Sequence, residues 1–203
     1  MGKHRDPLSL LTIAIDRMQR SLREIYEFST DPECIYRLSI ERAPRDTILP
    51  DGTQFIKGEP VGILHLYGEH MPVIPASGPS LAWASRMARQ LERSAFLLAQ
   101  HAATEKSLLS VPAFGNDVFL LHTQTNARLL ERMGYAVLDA VPPDNVYQSF
   151  RMKTVRVWTW LLRRAFNRQS AIIAPADLQY CSIWISRRAL LDKYSTPRMP
   201  SSV

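Results

Sequence analysis

Four of the six residues in HLYGEH, His65 to His70, carry groups that can move a proton: His65, Tyr67, Glu69 and His70. An imidazole changes charge near neutral pH, so a histidine at a strand exit is a candidate general base, with a carboxylate or phenol beside it as acid or orienting group. The same types of residue bind zinc when they lie on one helix face in the order His-x-x-Glu-His. Here the spacing is one residue longer, Gly68 interrupts it and an apolar strand leads into it, so the ligand geometry fails and no metal is expected. His65 alternates with Val61 and Ile63, which points it to the same covered face. The stretch therefore reads as a buried strand running into a polar loop, with His65, Glu69, His70 and Tyr67 as the candidate catalytic residues. His122 lies near another strand end. No glycine-rich phosphate loop, nucleophile elbow or Cys-His signature occurs in the chain.

These groups must be held by a core, and 203 residues with 46% hydrophobic and 22% charged content suffice for one. We expect a single α+β domain over 1–195 and a loose tail over 196–203. No segment reaches the roughly 20 apolar residues of a spanning helix. Cys34 and Cys181 lie in apolar strand-like runs and read as small buried hydrophobes, which fits a reducing, cytoplasmic setting.

Asp6-Pro7 opens a helix whose Leu8, Leu11, Ile15, Met18, Leu22 and Ile25 form one stripe, expected to pack on a sheet. Cys34, Tyr36, Leu38 and Ile40 alternate with Arg37, Ser39 and Glu41, as in a strand with one wet face. A Pro-Asp-Gly turn at 49–53 leads to a short strand over 54–57, and VGILHL, apolar on both faces, reads as a central strand. The longest helix spans 78–103, with Leu81, Ala84, Ala88, Leu91, Ala95 and Leu98 facing the core and Arg86, Arg89 and Arg93 forming a basic row. A strand over 117–123, a helix over 126–133 ended by Gly134, a strand over 135–140, a helix over 146–168, a strand over 179–185 and a last helix capped by Ser186 complete the order. This predicts an α+β fold, a mixed, mostly antiparallel sheet flanked by helices.

The charge is local. Arg151, Lys153, Arg156, Arg163, Arg164 and Arg168 supply six positive charges to 146–168 with no acid, matching the whole formal excess of +6. At about 100° per residue, Val155, Trp158, Leu161, Leu162, Ala165 and Phe166 share one face and the basic residues the other, with Trp160 and Val157 intruding. A basic amphipathic helix with two tryptophans suits an anionic membrane interface, with Arg156, Trp158, Trp160, Arg163 and Arg164 as its contacts. The plainer reading, which the pattern supports at least as well, is that the apolar face packs on the sheet and the arginines are solvated. The lack of a recognised module or a row of stacking aromatics speaks against nucleic acid.

Over roughly residues 34–195 the chain resembles the YkoP-like family of small bacterial proteins. The resemblance rests on LPDGTQFIKGEPVGILHLYGEH, close to that family's Leu-Pro-Asp-Gly-Thr turn followed by Gly-Asp-x-Val-x-x-Leu-His-Leu, and on SIWISRRALLDKY near the C-terminus. Glu59 stands here for the family's Asp and Ile63 for a frequent Glu. The position singled out is His65, and the setting implied is envelope polysaccharide and glycolipid synthesis. A second, shorter similarity is of NARLLERMGYAV to the late helix and strand of the GNAT acyltransferase superfamily, with Asn126 matching an Asn common there. It implies a GNAT-like layered architecture and an acyl-coenzyme A donor, whose phosphates would meet the start of the long helix at Ser77, Gly78 and Ser80. GEHMPVIPASGPSL departs from that superfamily's pyrophosphate loop, lacking its two spaced glycines. Together these readings imply an acyltransferase-like protein acting at the cytoplasmic membrane surface on an envelope lipid or glycan precursor. A non-catalytic accessory protein of the same pathway and a nucleic-acid-binding protein are the alternatives.

Overall fold

A computed structural model of the chain describes residues 7–22, 24–73, 80–121, 124–139, 153–154, 156–161 and 178–195. The elements are α1 (Pro7–Leu22), β1 (Tyr36–Arg42), β2 (Thr47–Ile48), β3 (Gln54–Phe55), β4 (Pro60–Leu66), α2 (Leu81–Thr104), β5 (Ala113–Leu121), α3 (Gln124–Arg132), β6 (Ala136–Asp139), α4 (helical at 153–154 and 156–161), β7 (Leu178–Ser186) and α5 (Arg187–Tyr194). Five strands form one mixed sheet in the order β1-β4-β5-β7-β6. Every neighbouring pair is antiparallel except β4 and β5. Parallel neighbours need a crossover, and the chain between β4 and β5 contains α2. The fold is thus α+β with helices flanking a mixed sheet.

Two cores sandwich the sheet. On one face Tyr36, Leu38, Phe114 and Ile185 meet Ala95, Leu98 and Ala102 of α2 and Leu190 of α5. On the other, Val61, Ile63, Ala113 and Trp184 meet Leu49 and Phe55, brought over by the small β2–β3 hairpin. Gly115 makes this second layer fit, because a β-carbon there would strike the Ile183 carbonyl and the Trp184 ring. The hairpin stands apart from the main sheet, so the expected run of three antiparallel strands is split: only β1 and β4 pair in the sheet.

Burial departs from the sequence pattern in three places. The polar face of β1 is covered, with Arg37 and Ser39 exposed by only 4% and 1%, because their polar atoms find partners inside the protein. α1 docks by the side opposite its apolar stripe: Ile13 is buried while Leu11, Met18 and Leu22 are more than half exposed. Ile13 and Arg17, one turn apart, share the docked side, and Arg17 meets Glu69 at 3.4 Å. The first turns of α2 also face outward, Leu81 being 88% exposed, so its buried face begins only at Gln90. Ser186 caps α5 by accepting from the Ala189 amide, and Gly134 takes φ +88 after α3, both as the residue types dictate.

Candidate functional site

β1 and β4 set the face on which the candidate base lies. Their register places Arg37 opposite His65, Ser39 opposite Ile63 and Glu41 opposite Val61. Opposed residues share a face, so His65 lies beside the second core with Arg37, Ser39 and Glu41 as neighbours. The His65 Nε2 sits 2.9 Å from Ser39 Oγ, and that hydroxyl donates to Glu41 Oε1 at 3.0 Å. Sequence reasoning missed Ser39 and Glu41. The signal was the alternation itself, polar residues at 37, 39 and 41 facing a strand that carries a histidine.

The rest of HLYGEH is used differently. Arg37 lies 3.2 Å over the Tyr67 ring, Tyr67 stacks on His70 at 3.8 Å, and His70 Nδ1 donates to the Cys34 carbonyl at 2.9 Å. Burial pushes the Tyr67 phenol up, against the opposing pull of the Arg37 charge. Glu69 lies 3.4 Å from Arg17 and 3.9 Å from Arg37, and Glu27 accepts from Arg37 at 2.9 Å. Tyr67, Glu69 and His70 thus brace the buried Arg37 and the α1 contact, and of the four candidates His65 alone joins a polar chain on the covered face.

Beyond His65 the parallel strands part. Their ladder closes over Gly62–Phe114 and Ile63–Gly115, while β4 runs on to Leu66 and β5 to Leu121. Where a strand amide would continue the ladder, the Asn116 side chain donates to the Leu64 carbonyl at 3.0 Å. Tyr67 and Ala43 bond across to Ile35 and Glu59, so the odd-numbered residues of β4 face β1. The even ones face β5, and the Leu66 N–H and C=O therefore point into the gap. Asp117 lies on the far side of it, on the same sheet face as His65, and accepts from Tyr180 at 2.9 Å and Ser182 at 2.5 Å.

The remaining predicted residues are placed as follows. Ser80 is the N-cap of α2, accepting from the Trp83 amide at 3.2 Å, which leaves the Leu81 and Ala82 amides outside the capping bonds. Ser77 and Gly78 lie outside the described residues, as do His122, Arg163 and Arg164. Asn126 belongs to the backbone of α3. In α4, Arg156, Trp158 and Trp160 are half-buried, and Lys153 and Val157 are exposed. Cys34 and Cys181 are buried free thiols whose pKa burial raises, Cys181 to about 11. Among the described residues no group of three or more His, Cys, Asp or Glu could hold a metal ion, and no helix is long and apolar enough to cross a membrane.

The larger described cavity, about 750 Å³, is elsewhere, an open hollow between residues 27–30 and the last turns of α2. Its one imidazole, His101, already meets the Tyr26 hydroxyl at 3.4 Å and stacks on Phe28. Glu27, Ser29, Thr30, Thr104 and Ser195 also line it.

Comparison with protein families, with curated proteins and with solved structures finds no match for the chain.

Proposed function

We propose that this chain is a GNAT-like acyltransferase that uses His65 as general base in the gap between β4 and β5. The observation that carries this is the parting of the parallel pair immediately beyond Ile63, with His65 on one arm and main-chain groups of Leu66 that face away from β1. An extended donor with amide groups, such as the arm of an acyl-coenzyme A, finds in Leu66 the ladder that β5 no longer provides. Its phosphates would meet the amides of Leu81 and Ala82 beyond the Ser80 cap. A mixed sheet flanked by helices supports the layered architecture that the superfamily resemblance implies.

In the reaction His65 takes the proton of an acceptor amine or hydroxyl. The acceptor then attacks the acyl carbonyl, the new N–C or O–C bond replaces the C–S bond, and the leaving thiolate receives a proton. The acceptor we assign is an envelope lipid or glycan precursor at a membrane surface. The basic run over 146–168 and the outward apolar row of α1 support that location.

A thermal-shift titration with coenzyme A and with short- and long-chain acyl-coenzyme A tests the donor. A saturable rise in Tm is expected, because a ligand that binds only the folded state stabilises it. A flat response at every chain length removes the acyltransferase reading and favours the accessory protein of the same setting.

A further inference from the structure

The open hollow beside the 27–30 segment, about 750 Å³, has the size of a small-molecule site, and the chemistry of its lining restricts what fits. Glu27 is its one charged residue, and no lysine or arginine lines it among the described residues. The Glu27 carboxylate is held from the sheet side: the buried Arg37 donates to its Oε1 through Nε at 3.2 Å and through Nη2 at 2.9 Å. Both bonds go to one oxygen, so Oε2 keeps its lone pairs for another donor. The hydroxyls are oriented too. Thr104 donates to the carbonyls of Gln100 and His101, and Ser195 to that of Leu191, which leaves both oxygens as acceptors toward a ligand. Ser29 accepts from the Asp31 amide at 3.1 Å, so its hydrogen is left to give. The Gln100 side chain, which can give and accept at once, is exposed and has no protein partner among the described residues.

We propose that this hollow binds a neutral saccharide of one or two rings. A sugar hydroxyl donates and accepts together, as this lining requires: it gives its hydrogen to Glu27 Oε2, Thr104 or Ser195 and accepts from Ser29 or the Gln100 amide. The C–H face of a pyranose is apolar and suits the Phe28 ring, which lines the same hollow. That ring is fixed in advance by its stack on His101, with centroids 5.5 Å apart, so little ordering is left for binding to do. Charge excludes the commoner small ligands. A phosphate or carboxylate would meet a carboxylate and no cation. A free ammonium would meet a carboxylate whose charge Arg37 already balances, beside an imidazole that burial keeps neutral at pH 7. The proposal does not depend on the acyl transfer assigned to the strand gap.

The test is a titration of the full chain labelled with nitrogen-15 against glucose, N-acetylglucosamine and the β-linked disaccharide of each, with inorganic phosphate and choline as the charged comparisons, read from the amide resonances. At least one saccharide should give saturable shifts confined to residues 27–30 and 97–104, with a Kd in the millimolar range. Phosphate and choline should leave those amides in place. Gln100→Ala should weaken the saccharide by about three- to tenfold, the worth of a hydrogen bond between neutral groups, and Thr104→Val by a similar factor. Both side chains are exposed, so the fold does not depend on them. Absence of shifts with all four saccharides overturns the proposal, as do shifts centred elsewhere in the chain. A larger response of these amides to phosphate or choline overturns the ligand class, and unchanged affinity in both variants overturns the site. Neither an acyl donor nor a vesicle enters the measurement. A failed coenzyme A titration with the saccharide bound would therefore end the acyltransferase reading and leave the hollow as proposed.

Discussion

Glu24 holds φ +52 just past α1 and is the one non-glycine residue with positive φ among the described residues. It occupies the left-handed position where a helix often ends in glycine, and a side chain there costs about 1–2 kcal/mol. Glu24→Gly relieves that cost but enlarges the freedom of the unfolded chain, so a net gain of about 0.5–1 kcal/mol is expected. Urea unfolding should show a higher midpoint with an unchanged slope, and a lower midpoint would mean that the Glu24 side chain makes a stabilising contact. Gly115 has the opposite sensitivity. A methyl group there meets the Ile183 backbone, which cannot swing aside as a side chain would, so Gly115→Ala should destabilise by about 1–3 kcal/mol. At this scale the sequence was informative where a residue type has one use, as with the Ser186 cap and Gly134. It was least informative where polarity had two meanings. Arg37, Ser39 and Glu41 have the pattern of a solvated strand face, and only the pairing with β4 shows two of them buried and the third bonded to a buried hydroxyl. Because of that, His65 could be singled out from HLYGEH, but its partners could not.

Between elements, the 26–30 segment is pinned to α2 by aromatic contacts on one imidazole. His101 stacks on Phe28 with centroids 5.5 Å apart and meets Tyr26 edge-on at 6.0 Å. Tyr26 in turn pairs with Leu38 through both main-chain hydrogen bonds, so the contact ties α2 to the edge of the sheet. Burial holds the His101 pKa below 6.5, with the Glu105 charge pulling weakly the other way. As pH falls, the unfolded chain therefore takes up this proton before the folded one does. The contribution is complete above about pH 6.5 and is lost as pH falls through that value toward the lower folded one. Urea unfolding between about pH 8 and pH 5 should show stability declining with acid, and His101→Gln should flatten that decline. An identical pH dependence in the variant would assign the loss to other groups. Helix and strand identities were legible from periodicity, whereas the docked side of α1 was not. Its stripe of Leu11, Met18 and Leu22 is a proper apolar row, but Ile13 and the Arg17–Glu69 pair on the opposite side face the protein instead. The splay of β4 from β5 was equally hidden, since it depends on Asn116 capping a carbonyl 52 residues away.

For the molecule as a whole, 19 acidic residues balance 19 of the 25 basic ones, and the remaining six equal the basic content of 146–168. A concentrated charge of this kind gives roughly 1 kcal/mol per basic residue near an anionic lipid surface and loses strength over a Debye length of about 8 Å at physiological salt. By its sequence pattern the apolar side of the run, with Trp158, Leu161 and Leu162, would supply area to bury in the headgroup region of such a surface. Flotation with vesicles rich in anionic lipid should therefore carry the protein at low salt and release it as salt rises, while zwitterionic vesicles should retain little. Arg163→Glu combined with Arg164→Glu reverses two charges, lowering the net charge of that run by four units, and should abolish flotation, with Tm unchanged if these side chains are solvated. Equal retention on both vesicle types would make the contact apolar rather than electrostatic. No retention on either would leave the basic run without a lipid role and move the acceptor proposed for His65 into solution. The charge excess and the strand gap are thus separable claims, and the vesicle and coenzyme A measurements test them one at a time.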